Sequence, residues 1–155
     1  MFLKYLSMLF AGLSMIVAQG VAAQGKPMKL ESAVQVLKAE TEGAEPRLID
    51  ATNVVPGDTL VFTTRFSNEG SHAVDDFVIV NPVPANLVLA DEPEAVAEVS
   101  VDGAKTWGKL AQLVVVENDG QERPATIEDI THLRWAFSQV PPGEAGQVNF
   151  NATVR

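Results

Sequence analysis

The chain has 155 residues, with 20 acidic and 11 basic side chains, a formal net charge of −9 and no cysteine. This acidic balance repels nucleic acid and anionic lipid, and no basic patch offsets it, so no nucleic-acid partner is predicted. The absence of cysteine excludes disulfides, zinc–thiolate sites and a thiol nucleophile. A fold built from this chain must therefore be held by its apolar core.

Residues 1–23 have the composition of a secretory signal peptide. Lys4 is the only charged residue before Lys26, and a long apolar stretch follows it. The stretch ends in small residues, with Val21 and Ala23 at the −3 and −1 positions of a cleavage site. We expect this segment to form a signal helix.

A transmembrane anchor is the alternative interpretation, because the apolar stretch is nearly long enough to span a bilayer. Gln19 and Gly20 interrupt the apolar run before the small residues, which favours cleavage after Ala23. The mature chain is then residues 24–155 and keeps no stable membrane span. Its predicted location is the periplasm or the extracellular space.

The mature sequence alternates apolar and polar residues in short runs that are separated by turn residues. In the clearest run, 57–70, Leu60, Phe62 and Phe66 fall on one face of a strand. Further strand-like runs lie at 30–40, 76–84, 86–90, 94–110, 110–124, 131–140 and 141–155. The 94–110 run is expected to hold two strands around a tight turn, and 41–55 to be a loop with a partial strand. This pattern predicts an all-β fold, an antiparallel β-sandwich of about 7–9 strands in one domain, with a core over about residues 30–155.

The stretch VVPGDTLVFTTRFSNEGSHAVDDFVIVNPVPANLVL resembles the bacterial conserved repeat domain, domain of unknown function 11. The matching positions are Pro56, Gly57, Asp58, Leu60, Phe62, Asn68, Gly70, Val83 and Pro84. The closing stretch LRWAFSQVPPGEAGQVNFNATV is similar to the family's Trp, Pro-Gly-Glu turn and final strand. The resemblance covers about residues 30–155, in a single copy after the signal peptide.

This resemblance implies an immunoglobulin-like sandwich in an exported structural or adhesive setting. It implies no catalytic residues, because the family has none assigned. Asn81 stands where the family pattern has Asp, so a role of that Asp does not carry over.

The stretch SVDGAKTW, residues 100–107, nearly matches the Asp-box pattern S-x-D-x-G-x-T-W of sialidases and related β-propellers. A propeller needs several blades of about four strands each, which a chain of this length with one copy cannot supply. Ala104 also stands where the pattern has Gly. A sialidase is therefore rejected, and the stretch is predicted to be a structural hairpin.

Each residue of that hairpin has an expected role. Asp102 and Gly103 form the turn, Ser100 and Thr106 brace it, and Trp107 packs at the edge of the sandwich.

Nucleophilic catalysis has little support in the sequence. His72 lies in a turn and His132 on a strand, and no G-x-S-x-G motif is present. Two isolated histidines on a sandwich are typical of solvated side chains. A hydrolase would need one of them beside a carboxylate in a deep pocket, so no catalytic residue is predicted and the protein is not expected to be an enzyme.

A calcium- or carbohydrate-binding module is the alternative function. Acidic residues cluster at Asp75-Asp76, Asp91-Glu92-x-Glu94, Glu117-x-Asp119 and Glu128-Asp129. Carboxylates in loops suit calcium, but a solvated acidic surface explains them as well, and no EF-hand loop is present. Trp107 is the only candidate sugar platform, because Trp135 is in phase with core residues. No metal-binding or cofactor-binding residue and no cofactor are predicted.

The favoured function is an exported, non-catalytic structural or interaction module of the bacterial cell envelope or extracellular space. The predicted partner is another envelope protein, bound by edge-strand pairing, because open sandwiches present unpaired strands. The strand at 30–40 is the element expected to exchange or to augment a partner. The sequence leaves the oligomeric state open.

Overall fold

Ten strands and two short 3₁₀ turns form the regular structure of the computed structural model, which describes residues 27–39, 44–93 and 97–155. The strands are β1 (Met28–Lys38), β2 (Arg47–Asp50), β3 (Thr59–Asn68), β4 (Val74–Pro82), β5 (Leu87–Leu89), β6 (Glu98–Ser100), β7 (Val114–Val116), β8 (Glu122–Pro124), β9 (His132–Val140) and β10 (Ala145–Val154). The 3₁₀ turns span Leu110–Gln112 and Ile127–Asp129. The predicted signal peptide, residues 1–23, lies outside the described residues.

The strands form a five-stranded sheet in the order β2-β1-β3-β10-β5, a three-stranded sheet in the order β4-β9-β6 and a two-stranded ribbon of β7 and β8. Every pairing between these strands is antiparallel. The all-β, antiparallel prediction is confirmed. Ten strands exceed the 7–9 expected, because the partial strand predicted in 41–55 forms β2 and the 110–124 run folds back as the β7–β8 ribbon.

The core lies between the two larger sheets and follows the alternation of their strands. On β10, the even-numbered positions Val148, Phe150, Ala152 and Val154 are all buried. Phe66 of β3 reaches across to the three-stranded sheet, where its ring lies 5.4 Å from that of Phe77 and 4.8 Å from that of Phe137 between centroids. Burial of each large apolar side chain contributes about 1.5–3 kcal/mol, so these contacts hold the sheets face to face in a sandwich-like arrangement.

The turn before β3 is built from the Pro-Gly-Asp phrase of the sequence. Gly57 has a φ of 92°, in the left-handed region where glycine carries no steric cost. The Asp58 carboxylate accepts a hydrogen bond from the N–H of Val55 at 2.9 Å and pairs with the Lys38 ammonium of β1 at 2.9 Å. The turn thus fixes the carboxyl end of β1 beside the start of β3.

Residues 97–110, the described part of the run 94–110, contain one strand, β6, where two were predicted. The returning chain touches β6 through a single bridge, between Val99 and Gly108. The side chains of Ser100 and Asp102 accept hydrogen bonds from the backbone of residues 104–106. Those N–H groups are therefore unavailable to a strand ladder, and the returning limb remains a loop.

Asn68, at the end of β3, is 1% exposed and joins both sheets. Its amide nitrogen donates to the carbonyls of His72 and Val140, both at 2.8 Å, and its amide oxygen accepts from the N–H of Gly70 at 2.9 Å. Its backbone bonds to the 141–144 turn, at 2.8 and 2.9 Å. One buried side chain therefore links β3, the β3–β4 turn and the end of β9.

Replacement of Asn68 by alanine should destabilise the fold by about 3 kcal/mol, because it leaves the buried carbonyl of Val140 and the partly buried carbonyl of His72 without a donor. Asn86→Ala, at an exposed turn position, is the matched control and should change stability by less than about 0.5 kcal/mol. Chemical denaturation of both variants measures the difference. Equal stabilities of the two variants would contradict the role given to Asn68.

Candidate functional site

The Asp-box-like segment, which we call the 100–107 hairpin although only its first limb begins as a strand, is closed by its own side chains. The Ser100 hydroxyl donates to Oδ1 of Asp102 at 2.7 Å and accepts from the N–H of Ala104 at 2.9 Å. The Asp102 carboxylate accepts from the N–H groups of Lys105 and Thr106 at 3.1 and 3.0 Å, and from the Thr106 hydroxyl at 2.8 Å. Ser100 and Thr106 therefore brace the turn as predicted.

The hairpin is also tied to Thr131, the residue before β9. Thr131 donates its hydroxyl to the carbonyl of Ser100 at 3.0 Å and accepts from the N–H of Gly103 at 3.1 Å. Ala104 has a φ of 68°, in the left-handed region where the Asp-box pattern has Gly. The polar groups of the hairpin are used in holding this conformation, which is a structural role.

Trp107 is half-buried against the outer face of β9. The guanidinium carbon of Arg134 lies 4.6 Å from the centre of its ring, and the ring of His132 meets it edge-on at 6.4 Å between centroids. Arg134 in turn donates to the Glu98 carboxylate at 3.0 Å. Because Arg134 covers one face of the indole, that face is not available for stacking against a sugar ring.

The two histidines lie apart from each other, on different elements. His72 Nδ1 bonds to the hydroxyl of Ser71 at 2.9 Å, and His132 Nδ1 bonds to that of Thr131 at 3.0 Å. In both cases the ring nitrogen is engaged by a neighbouring hydroxyl.

Several of the acidic residues are held in polar contacts. Arg123 of β8 binds Asp129 through two bonds of 2.7 and 2.8 Å and also contacts Glu117. These bonds, with desolvation opposing them, hold the pKa of the Asp129 carboxyl well below its ordinary value. Asp75 accepts from the amide of Gln139 at 2.7 Å. Among residues 27–39, 44–93 and 97–155, no group of three or more His, Asp or Glu side chains is arranged to hold a metal ion.

Two clefts between the sheets have Phe150 of β10 in common among their lining residues. One is lined at its rim by Asp91 and Asn151, which share a 3.0 Å hydrogen bond, and at its floor by Trp135. The other has a volume of about 540 Å³, including open solvent, and lies between Val34 of β1 and the end of β4. Neither lining contains a histidine.

The cleft beside β4 contains the residue that departs from the family pattern. The amide nitrogen of Asn81 donates to the hydroxyl of Thr64 at 3.2 Å, and that hydroxyl lies 3.4 Å from the hydroxyl of Ser32. These hydrogen bonds connect β4, β3 and β1 across the cleft. Asn81 therefore acts as a bridge between the sheets.

One side of β1 is only partly covered by a neighbouring strand. β1 pairs with β3 along Met28–Leu37 but with β2 only along Gln35–Lys38. Among the residues that the structure describes, no strand pairs with the other side of Met28–Val34, which we call the open edge. The strand that was expected to augment a partner is thus covered in its second half and uncovered in its first.

The direction of the backbone groups on the open edge follows from one hydrogen bond. The carbonyl of Pro27 accepts from the N–H of Glu69, on the β3 side, at 2.7 Å. Since bonded and non-bonded pairs alternate along an antiparallel ladder, the odd-numbered residues of β1 bond to β3. The N–H and C=O groups that point away from β3 belong to Met28, Leu30, Ser32 and Val34.

Exposed apolar side chains lie on the open edge and on the neighbouring strand β2. Leu30, Val34 and Ile49, which we call the apolar shelf, are 50%, 40% and 40% exposed. In the register, Val34 lies opposite Phe62, which lies opposite Phe150, so this row faces the three-stranded sheet. The three-stranded sheet has fewer strands than the five-stranded sheet that it faces. The apolar shelf therefore lies outside the area that the three-stranded sheet covers.

The sequence predicted that the strand at 30–40 would accept a partner but not which half of it is uncovered, because strand order and register depend on contacts between distant residues. The signal that points to it in retrospect is the shortness of β2, which lies in the stretch interpreted as a loop with a partial strand. Comparison with family models, with curated proteins and with solved structures found no match to this chain. Among the described residues, no helix has the length and apolarity needed to cross a bilayer.

Asp102 gives the fold a predicted dependence on pH. Its bonds with the backbone of Thr106, then with the Ser100 and Thr106 hydroxyls, hold the pKa of its carboxyl well below the ordinary value. A lowered pKa adds stability above the unfolded-state pKa of about 3.9, and this contribution is lost as the pH falls below it. Wild type should therefore exceed Asp102→Asn in melting temperature at pH 7, with a difference that shrinks between about pH 4 and pH 2.

The matched control is Asp119→Asn, in the turn between β7 and β8, where the carboxylate accepts from the N–H of Gln121 at 3.0 Å. Thermal melts of the three proteins over this pH range give the comparison. A wild-type advantage over Asp102→Asn that stays constant down to pH 2 would contradict the assignment.

Proposed function

We propose that the protein is an exported, non-catalytic interaction module with an immunoglobulin-like β-sandwich, which binds a protein of the cell envelope or extracellular space by edge-strand pairing. The open edge, Met28–Val34, is the observation that carries this proposal. It offers a regular row of backbone donors and acceptors, and main-chain hydrogen bonds to such a row supply affinity for an extended segment. The apolar shelf beside it supplies contacts that can select the side chains of that segment.

The contrast with β4, the outer strand of the three-stranded sheet, supports the choice of edge. Asp76 of β4 has a φ of 50°, and the strand ends at Pro82. A left-handed residue and a proline interrupt pairing, and natural proteins use such devices to protect exposed edges. The open edge of β1 has neither device between Met28 and Val34, so it is the edge better suited to accept a strand.

Proline scanning tests the open edge, because the N–H groups of neighbouring β1 residues point alternately away from β3 and towards it. The N–H of Ser32 points away from β3, so Ser32→Pro removes one donor of the open edge and leaves the β1–β3 ladder bonded. Ala33→Pro is the matched control, because the N–H of Ala33 points towards β3 and its loss should destabilise the fold by about 3 kcal/mol. We expect Ser32→Pro to melt within a few degrees of wild type.

The functional measurement is capture of envelope proteins by immobilised residues 24–155. Wild type should retain a partner protein, and Ser32→Pro should retain at least tenfold less of that protein. Equal retention by a stably folded Ser32→Pro variant would overturn pairing at the open edge.

Export is proposed from the composition of residues 1–23. Expression of the full chain in a bacterium with two membranes should yield a periplasmic protein. Its mass, measured by mass spectrometry, should be that of a chain that begins at Gln24. A product that retains residues 1–23 in the membrane fraction would show an anchor, and the export proposal would then be replaced by membrane attachment.

A further inference from the structure

We infer that the open edge binds the open edge of a second copy of this chain. The two β1 strands run antiparallel and are related by a two-fold axis that passes between the two Leu30 residues, which we call the axis at Leu30. This inference rests on the proposed function, because it names a partner for the same edge. A two-fold axis through one residue pairs identical strands in a self-complementary way, as closed dimers require.

The backbone limits the possible registers. Only the even-numbered residues of the open edge direct their N–H and C=O groups outwards, so bonded pairs must join even-numbered residues of the two copies. Two-fold axes at Leu30, Glu31 or Ser32 all satisfy this condition. The side chains decide among them.

The charges on the outer face of β1 favour the axis at Leu30. Lys29 and Glu31 lie on that face and already form an ion pair of 3.0 Å within the strand. With the axis at Leu30, Lys29 of each copy lies opposite Glu31 of the other, which makes two complementary cross-strand pairs. With the axis at Glu31, the two Glu31 carboxylates lie opposite each other, and like charges in that position destabilise a sheet.

The axis at Ser32 is excluded by a neighbouring strand. It would place Met28 of one copy opposite Val36 of the other, but Val36 is already paired with Ile49 of β2. The axis at Leu30 uses only Met28–Ser32 of each copy, which ends short of β2.

The same arrangement also brings apolar side chains of the inner face of β1 into contact. Leu30, half exposed in the isolated chain, lies directly opposite its equivalent in the second copy. The two five-stranded sheets then continue into one another through the two β1 strands. The pairing therefore covers part of the apolar shelf as well as the backbone groups.

Single cysteine substitutions test the register directly by disulfide formation between two copies. The chain contains no cysteine of its own, so no other residue can form a disulfide. Bonded partners in an antiparallel pair have Cα atoms about 5.5 Å apart, within the range that a disulfide spans. Leu30→Cys should form disulfide-linked dimers under mild oxidation at least tenfold faster than Glu31→Cys, Ser32→Cys or the exposed turn variant Asn86→Cys. Fastest linkage at residue 31 or 32 would overturn the register, and equal rates at all four positions would overturn the dimer.

Charge exchange provides an independent test by sedimentation velocity. Lys29→Glu and Glu31→Lys should each weaken dimerisation about tenfold, since each replaces two attractive pairs with two repulsive ones. The double variant Lys29→Glu/Glu31→Lys restores both pairs with the wild-type net charge and should dimerise within about twofold of wild type. Lys105→Glu, in the exposed part of the 100–107 hairpin, controls for the change of net charge and should leave the dimer unchanged.

The outcomes separate this inference from the proposed function. A wild-type chain that stays monomeric at millimolar concentration, yet loses an envelope partner on Ser32→Pro, overturns the dimer and leaves edge pairing with that partner standing. A double variant as weak as the single ones overturns the Lys29–Glu31 pairing. Dimers that persist in Ser32→Pro overturn use of the open edge for self-association.

Discussion

The buried amide of Asn68 is the interaction on which the arrangement of the two sheets depends. It binds the carbonyl of Val140 at the end of β9 and the β3–β4 turn, so the three-stranded sheet is fixed against the end of β3. The rings of Phe66, Phe77 and Phe137 pack just inside this point. The smaller sheet is consequently placed over β3, and the inner face of β1 and β2 extends past it. The apolar shelf follows from that offset, whereas the open edge follows from the shortness of β2, which pairs only with Gln35–Lys38.

Asn68 and Asp102 show why the chain uses different polar side chains at two turns. At the buried site, the side chain must donate to two carbonyls and accept from one N–H, which an amide can do without a charge. At the exposed hairpin, the neighbours of Asp102 are all donors, and a solvated carboxylate accepts from several of them at little desolvation cost. Asn68→Asp would place a charge at the buried site. Asp102→Asn would place an amide NH₂ group among neighbours that are all donors.

The strands that alternate strongly could be predicted from the sequence, because their periodicity reflects burial on one face. β3, β9 and β10 are examples, and Gly57 and Gly120 lie in the turns beside such runs, each with a positive φ. The pairing of strands could not be predicted, since no local pattern states that β2 covers only Gln35–Lys38. The sequence also could not show that the second limb of the hairpin would remain a loop. That outcome depends on the Ser100 and Asp102 oxygens, which accept from the backbone N–H groups of residues 104–106. Asn68 lies within the predicted run 57–70, and no local pattern indicates its hydrogen bond to Val140 at the end of β9, far along the chain.

β1 combines two roles in one continuous strand. In its second half, Val36 is 1% exposed and Lys38 pairs with Asp58, so this half belongs to the core and to the turn before β3. In its first half, Leu30 lies on the same face as Val36 but is 50% exposed, and it contributes little to the core. Because the second half and the β3 ladder hold the strand in place, the first half needs no further neighbour for the fold to be stable. Its backbone groups stay extended and ordered in advance, which lowers the entropy cost of accepting a strand.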